Sequence, residues 1–119
     1  DSVLAQRLAR KLCERCKEPR TAAPEVVRQM GYDPDETQVT LYMAVGCKMC
    51  SDTGYRGRLA INEVLLMSEE IQRMAVERRP SDEIKRLSVE QGMKTLRQDG
   101  MEKVKLGMTT LEEVLRVVV

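Results

Sequence analysis

All four cysteines of this 119-residue chain, Cys13, Cys16, Cys47 and Cys50, fall into two pairs, CERC and CKMC, and no histidine accompanies them. Two residues between thiols let a tight turn aim both sulfurs at one ion. Two such knuckles complete a tetrahedral shell of thiolates with Zn–S near ~2.3 Å. Two disulfides would need an oxidising compartment, to which nothing in the sequence points, and a Cys13–Cys16 bridge would close a very tight loop. A redox dithiol uses one pair, just after a strand and opening a helix. Two pairs with charged residues inside them fit that poorly. The spacing therefore points to zinc held by Cys13, Cys16, Cys47 and Cys50, with iron–sulfur ligation or plain surface thiols as the alternatives.

Four thiolates around Zn²⁺ leave a net negative charge. Arg15 and Lys17 flank one knuckle and Lys48 lies inside the other, so they can offset it. Gly46 gives the backbone room to turn before the second knuckle. A full four-sulfur shell leaves no position for water, so the zinc would be structural, contributing on the order of 10 kcal/mol to folding. Such a cross-link matters here. With no Phe, no Trp and three Tyr, the core must rest on aliphatics and on Met, which specifies shape weakly. The eight Met read as core filler rather than as a ligand groove.

The elements that position the knuckles follow from periodicity. Leu4, Leu8 and Leu12, widened by Ala5 and Ala9, predict an amphipathic helix leading into the first knuckle. The 30 residues between Cys16 and Cys47 exceed the roughly 15–20 of a zinc ribbon and so carry structure of their own. APEVVRQMG predicts a short helix, with Pro24 in the first turn, Glu25 at the positive end and Gly31 at the stop. Val39–Val45 predicts a strand. DTGYRGR is a turn-rich link, and Leu59–Met67 alternates well enough for a strand. Ser68 caps a helix to about Glu77 with Ile71, Met74 and Ala75 inward. Pro80 breaks the chain, and Ser81 caps a helix carrying Ile84 and Leu87 to about Gly92. Met93, Leu96, Met101 and Val104 continue near helical spacing, although Gly100 weakens that segment by roughly 1 kcal/mol. Thr110 and Glu113 form a capping box ahead of a stripe of Leu111, Val114 and Leu115. The expected fold is α+β, mainly helical. A tetracysteine subdomain with its leading helix occupies 1–58, and a C-terminal strand and helices occupy 59–119.

Lys plus Arg number 20 and Asp plus Glu 19. A net charge of +1 gives no reason to expect nucleic acid or an anionic membrane as partner. No apolar run approaches the ~20 residues of a membrane span, and no signal-peptide pattern opens the chain, so a cytosolic origin is the working expectation. Residue 1 is Asp, as in a fragment or a processed chain. No Gly is followed by Lys, so there is no P-loop. Without histidine there is no Ser-His-Asp or Cys-His pair. Glu69–Glu70 and Glu112–Glu113 sit in first turns, where the helix dipole accounts for them. Arg56 and Arg58, beside the second knuckle, are the least bland of the charges.

LAQRLARKLCERCK, GCKMCSDTGYRGRLAINEVL and GMKTLRQDGMEKVKLGMTTLEEVLRV, in that order, resemble the C-terminal end of the type II secretion and type IV pilus assembly motor ATPases. The resemblance runs almost the whole chain. It implies a cytoplasmic parent, a hexameric P-loop ATPase peripheral to the bacterial inner membrane. ATP and Mg²⁺ would bind a core upstream of this chain, so the chain alone would be no enzyme, and it could be a monomer. The partners implied are neighbouring ATPase subunits and an inner-membrane platform protein. The family's zinc-binding cysteines map onto Cys13, Cys16, Cys47 and Cys50. Asn62 departs from the family, which often has an aromatic or other bulky residue there. The competing readings are a zinc-ribbon-like module for nucleic acid and a free-standing zinc adaptor for a protein partner. Scarce aromatics and near-zero charge oppose the first.

Overall fold

The computed structural model describes residues 2–118. Two long strands, β1 (Ser2–Leu12) and β4 (Tyr55–Leu66), form an antiparallel ribbon. Pairing runs from Ser2 opposite Leu66 to Arg10 opposite Arg58, then slips before Leu12 meets Tyr55. The helix expected over Leu4–Leu12 is therefore a strand. Its leucines recur every fourth residue, and four is an even number, so the same spacing also fits one face of a strand. The deciding element is β4, more than forty residues later in the chain, whose Leu59–Leu65 alternation gives β1 a partner.

The slip between Arg10 and Leu12 is a bulge whose extra residue lies on β4, where three steps from Arg58 to Tyr55 oppose two on β1, and it changes how the ends of the two strands face each other. Ala9 and Leu12, three residues apart, are both buried. Upstream of the bulge the face carrying Leu4 and Leu8 points outward. Leu4 is 58% and Leu8 52% exposed, and Val64 and Leu66 on β4 are 43% and 71% exposed.

A second antiparallel pair, β2 (Glu18–Thr21) and β3 (Thr40–Met43), lies within the inter-knuckle segment. Helix α1 (Pro24–Gln29) joins the two strands, starting at Pro24 and stopping before Gly31 at φ +94°. The expected helix and strand of this segment are both present.

Beyond β4, α2 (Glu69–Val76) begins at Ser68, whose hydroxyl accepts from the Ile71 N–H at 3.2 Å. Ile71 is buried and Met74 half-buried, but Ala75 faces solvent. This short helix packs mainly on α3 (Ser81–Glu90) and so buries a single narrow line. Ser81 does not cap α3. Pro80 takes the capping position and Ser81 is the first helical residue. Helix α4 (Leu96–Lys105) opens with a reciprocal capping box between Thr95 and Gln98, and α5 (Leu111–Val117) opens at Thr110. Val114 is buried and Leu111 half-buried, but Leu115 lies on the outer side of α5, 49% exposed.

One core joins these parts. Ala9, Val39, Ile61, Met101, Val104 and Val114 form a single buried cluster, which draws on residues before and after position 58. Helix exceeds strand in a mixed α+β fold.

Candidate metal centre

The first knuckle grows from the inward-turned end of β1. Leu12 and Cys13 are buried, the Cys13 N–H donates to Gly54 O at 3.0 Å, and the Lys17 N–H closes the turn on Cys13 O at 3.1 Å. The second knuckle is a 3₁₀ turn over Lys48–Cys50, after which Ser51 and Asp52 adopt left-handed backbone (φ 56° and 62°). The Asp52 N–H then donates to Cys47 O at 2.8 Å. Gly46 enters this turn at φ +117°, where a Cβ would stand 2.9 Å from Asp52 O. The room expected at this glycine is therefore a steric requirement. Gly54 leaves the turn under the same constraint, with a Cβ there falling 2.5 Å from Ala44 Cβ.

The knuckles converge. The four Sγ atoms of Cys13, Cys16, Cys47 and Cys50 all lie within 4.8 Å of one another. Cys13–Cys47 and Cys47–Cys50 are 3.7 Å apart and Cys16–Cys50 is 3.8 Å. All four cysteines are free, and these distances far exceed the roughly 2.05 Å of a disulfide. A tetrahedron with ~2.3 Å metal–sulfur bonds has sulfur–sulfur edges of about 3.8 Å. The donor set therefore could hold one tetrahedral thiolate-bound ion, with three of its six edges at that length.

Backbone dipoles reinforce the fit. Cys50 Sγ accepts the N–H groups of Cys47 and Gly54, each at 3.2 Å, and Cys16 Sγ accepts that of Gly46 at 3.3 Å. Burial opposes ionisation of Cys50, but those two N–H groups and the neighbouring thiols bring it down to about 6. Cys16 gains from the Gly46 N–H, yet burial and the three other sulfurs push it up to about 11. A divalent cation held by the quartet would supply the counter-charge to four thiolates.

The cationic residues divide. Arg15 and Lys48 are exposed beside the cluster. Lys17 turns to the far end of the chain, donating to Gly107 O at 2.9 Å and pairing with Glu14 at 3.0 Å. Arg56 and Arg58 are exposed on β4, with Arg58 opposite Arg10. Like charges in that position repel, and Arg10 is drawn aside by Glu113 at 3.0 Å.

Glu113 does more than the stabilising of a helix dipole that its first-turn position predicts. Its carboxylate is buried and accepts the Arg10 N–H at 2.8 Å and the guanidinium groups of Arg10 and Arg116. The Thr110 hydroxyl accepts the Glu113 N–H at 3.2 Å, but the carboxylate does not reach back to complete a capping box. Arg10 also lies over the Tyr55 ring, 4.1 Å from its centroid, and Tyr55 shares a hydrogen bond with Thr110 at 2.9 Å. This network ties the root of the first knuckle to α5. Its signal in the sequence was the T-x-x-E motif, which gives no hint that a strand competes for the glutamate.

Comparison with known proteins places this geometry in a family. The model of the type II/IV secretion system protein family matches residues 1–116. The type IV pilus assembly ATPase PilB of Thermus thermophilus is 46% identical over 95% of this chain and 13% of its own length. The type II secretion system protein E of Pectobacterium carotovorum is 43% identical over 97% of this chain and 22% of its own. The type II secretion system ATPase E of Vibrio cholerae is 39% identical over the same two shares. The chain thus spans between an eighth and a quarter of these relatives. With both knuckles lying inside the matched region, the chain belongs to the type II/IV secretion system protein family.

Proposed function

We propose that Cys13, Cys16, Cys47 and Cys50 hold one structural Zn²⁺ in the part of a secretion or pilus-assembly motor ATPase that follows its nucleotide-binding core. The observation that carries this is the quartet of sulfurs, all within 4.8 Å of one another and with three of the six edges at 3.7–3.8 Å. Four thiolates fill the shell, so the ion supplies a cross-link and no reactive water. The chain's own groups do the rest. The Gly46, Cys47 and Gly54 N–H groups hold the sulfurs in place, and the strained turns fix their directions.

In this reading, ATP and Mg²⁺ bind outside this stretch, which by itself catalyses nothing. The metal-braced lobe passes motion of the hexameric motor to a neighbouring subunit or to an inner-membrane platform protein at the cytoplasmic face. No helix among the described residues is long and apolar enough to cross a membrane, which suits a peripheral position. The family relationship and the absence of any P-loop in the sequence support this division of labour.

Elemental analysis of the intact protein tests the metal, with one zinc per chain expected and none after Cys13→Ser. Assembly of the secretion or pilus apparatus in cells carrying Cys13→Ser tests the coupling. A metal-free protein, or full assembly without the metal, would refute the corresponding half of the proposal.

A further inference from the structure

The turn between α4 and α5, Leu106–Thr110, is gripped from Gly107 to Thr110 by residues near the knuckles. The Leu12 N–H donates to Met108 O at 2.9 Å. The Thr109 hydroxyl, fully buried, donates to Arg10 O at 2.7 Å. Lys17 Nζ donates to Gly107 O at 2.9 Å while lying 4.8 Å from the centroid of the Tyr42 ring. Gly107 itself, at φ +76°, approaches that ring so closely that a Cβ would stand 2.8 Å from Cδ1. Tyr55, just past the second knuckle, reaches Thr110 at 2.9 Å.

These grips come from both sides of the cysteine cluster. Arg10 and Leu12 precede the first knuckle, Lys17 follows it, Tyr42 precedes the second and Tyr55 follows that. The sulfur quartet is one of the links that fix their relative placement, joining Cys13 to Cys47 across 34 positions of chain. Besides the sulfurs, the β1–β4 ribbon with Leu12 opposite Tyr55, the four-residue β2–β3 pairing and the Cys13–Gly54 hydrogen bond bridge the two knuckles.

We infer that the Leu106–Thr110 turn and the four-cysteine cluster are energetically coupled, so that metal binding seats the turn and the seated turn tightens metal binding. The inference rests on the metal-binding reading above and extends it to a second, distant part of the chain. Coupling of this kind is reciprocal: whatever the metal does for the turn, the turn does for metal affinity by the same factor.

Thr109→Val in the intact protein tests it, because this change removes one hydrogen bond without altering charge near the sulfurs. Zinc affinity, measured by competition with a chromophoric chelator, should weaken at least about fivefold. Lys17→Met should act in the same direction and Lys17→Arg should restore affinity, whereas Lys85→Met, on α3, should leave it unchanged. Hydrogen exchange of the unaltered protein supplies the second arm. Removing the metal should speed exchange across Leu106–Thr110 by a similar factor and leave α3 unaffected. One zinc per chain with unchanged affinity in Thr109→Val and unchanged exchange in the turn would overturn the coupling while leaving the zinc reading intact. A protein that binds no metal would overturn both. If Thr109→Val does not fold, the exchange measurement decides alone.

Discussion

Helices α4 and α5 meet where Gly100 faces Val114: a Cβ on Gly100 would stand 2.6 Å from Val114 Cγ1. Both residues are buried, and the β-branched valine has little rotamer freedom with which to retreat. Gly100 therefore weakens its helix locally and permits a close approach of α5 to α4 at Val114.

Gly100→Ala is consequently expected to destabilise the protein, against the gain of roughly 1 kcal/mol that helix propensity alone would give. Overpacking at such a contact costs about 1–3 kcal/mol, so a net loss should appear in the urea midpoint. Val114→Ala should partly rescue it, leaving the double variant more stable than the sum of the two single changes. A raised midpoint for Gly100→Ala alone would show that the helices separate freely.

Replacing any one knuckle cysteine by serine should weaken metal retention by more than about a hundredfold, since even second-shell changes cost 10–100-fold. Chelator titration of Cys50→Ser measures this. Loss at Cys50 should be at least as severe as at Cys16, because Cys50 alone collects two backbone N–H donors. Equal retention in Cys50→Ser and the unaltered protein would exclude a four-sulfur shell.

Glu113 should give the fold an acid-sensitive component. Burial alone would raise its carboxyl, but Arg116 and the guanidinium and N–H of Arg10 reverse that and hold it at about 2, against 4.5 unperturbed. A group lowered on folding contributes stability above its unfolded value and loses it as pH falls towards its folded one. The contribution, on the order of 3 kcal/mol, is thus complete above about pH 4.5 and fades between there and pH 2. The stability difference between the unaltered protein and Glu113→Gln should narrow across that window. Comparing the two at each pH cancels protonation of the cysteines, which both proteins share. A gap independent of pH would mean that Glu113 is not charged in the folded state.

Asp99 should prove structural. Its carboxylate is buried, accepts the Asn62 N–H at 2.8 Å and holds Lys103 at 2.9 and 3.0 Å. Asp99→Ala strands that N–H and should cost about 1–3 kcal/mol, while Asp99→Asn keeps an acceptor and should cost less. Identical urea midpoints for the two variants would show that water takes over the Asn62 N–H.

What the sequence disclosed was whatever is local. The paired cysteines, Pro24 and Gly31 around α1, Ser68 ahead of α2 and the alternation of β4 each act within a few residues, and all appear as expected. What it concealed depends on partners far along the chain. The Leu4–Leu8–Leu12 stripe fits two periods, and only β4 selects the strand. Glu113 carries a capping motif but is claimed by Arg10, more than a hundred residues earlier. Thr95 and Gln98 carry the same kind of motif at the head of a segment that Gly100 weakens. The convergence of the four cysteines was legible from spacing, whereas the grip of Lys17 on Gly107 required the folded chain.

The bare flank of the ribbon has a consequence for handling. Leu4, Leu8, Val64 and Leu66 line one side of it, in a ribbon of only two strands among the described residues. Such a surface favours self-association, and salts excluded from protein surfaces strengthen it. Concentrated preparations of this polypeptide on its own will turn cloudy as ammonium sulfate is added, well before a variant with lysine at positions 4 and 64 does so.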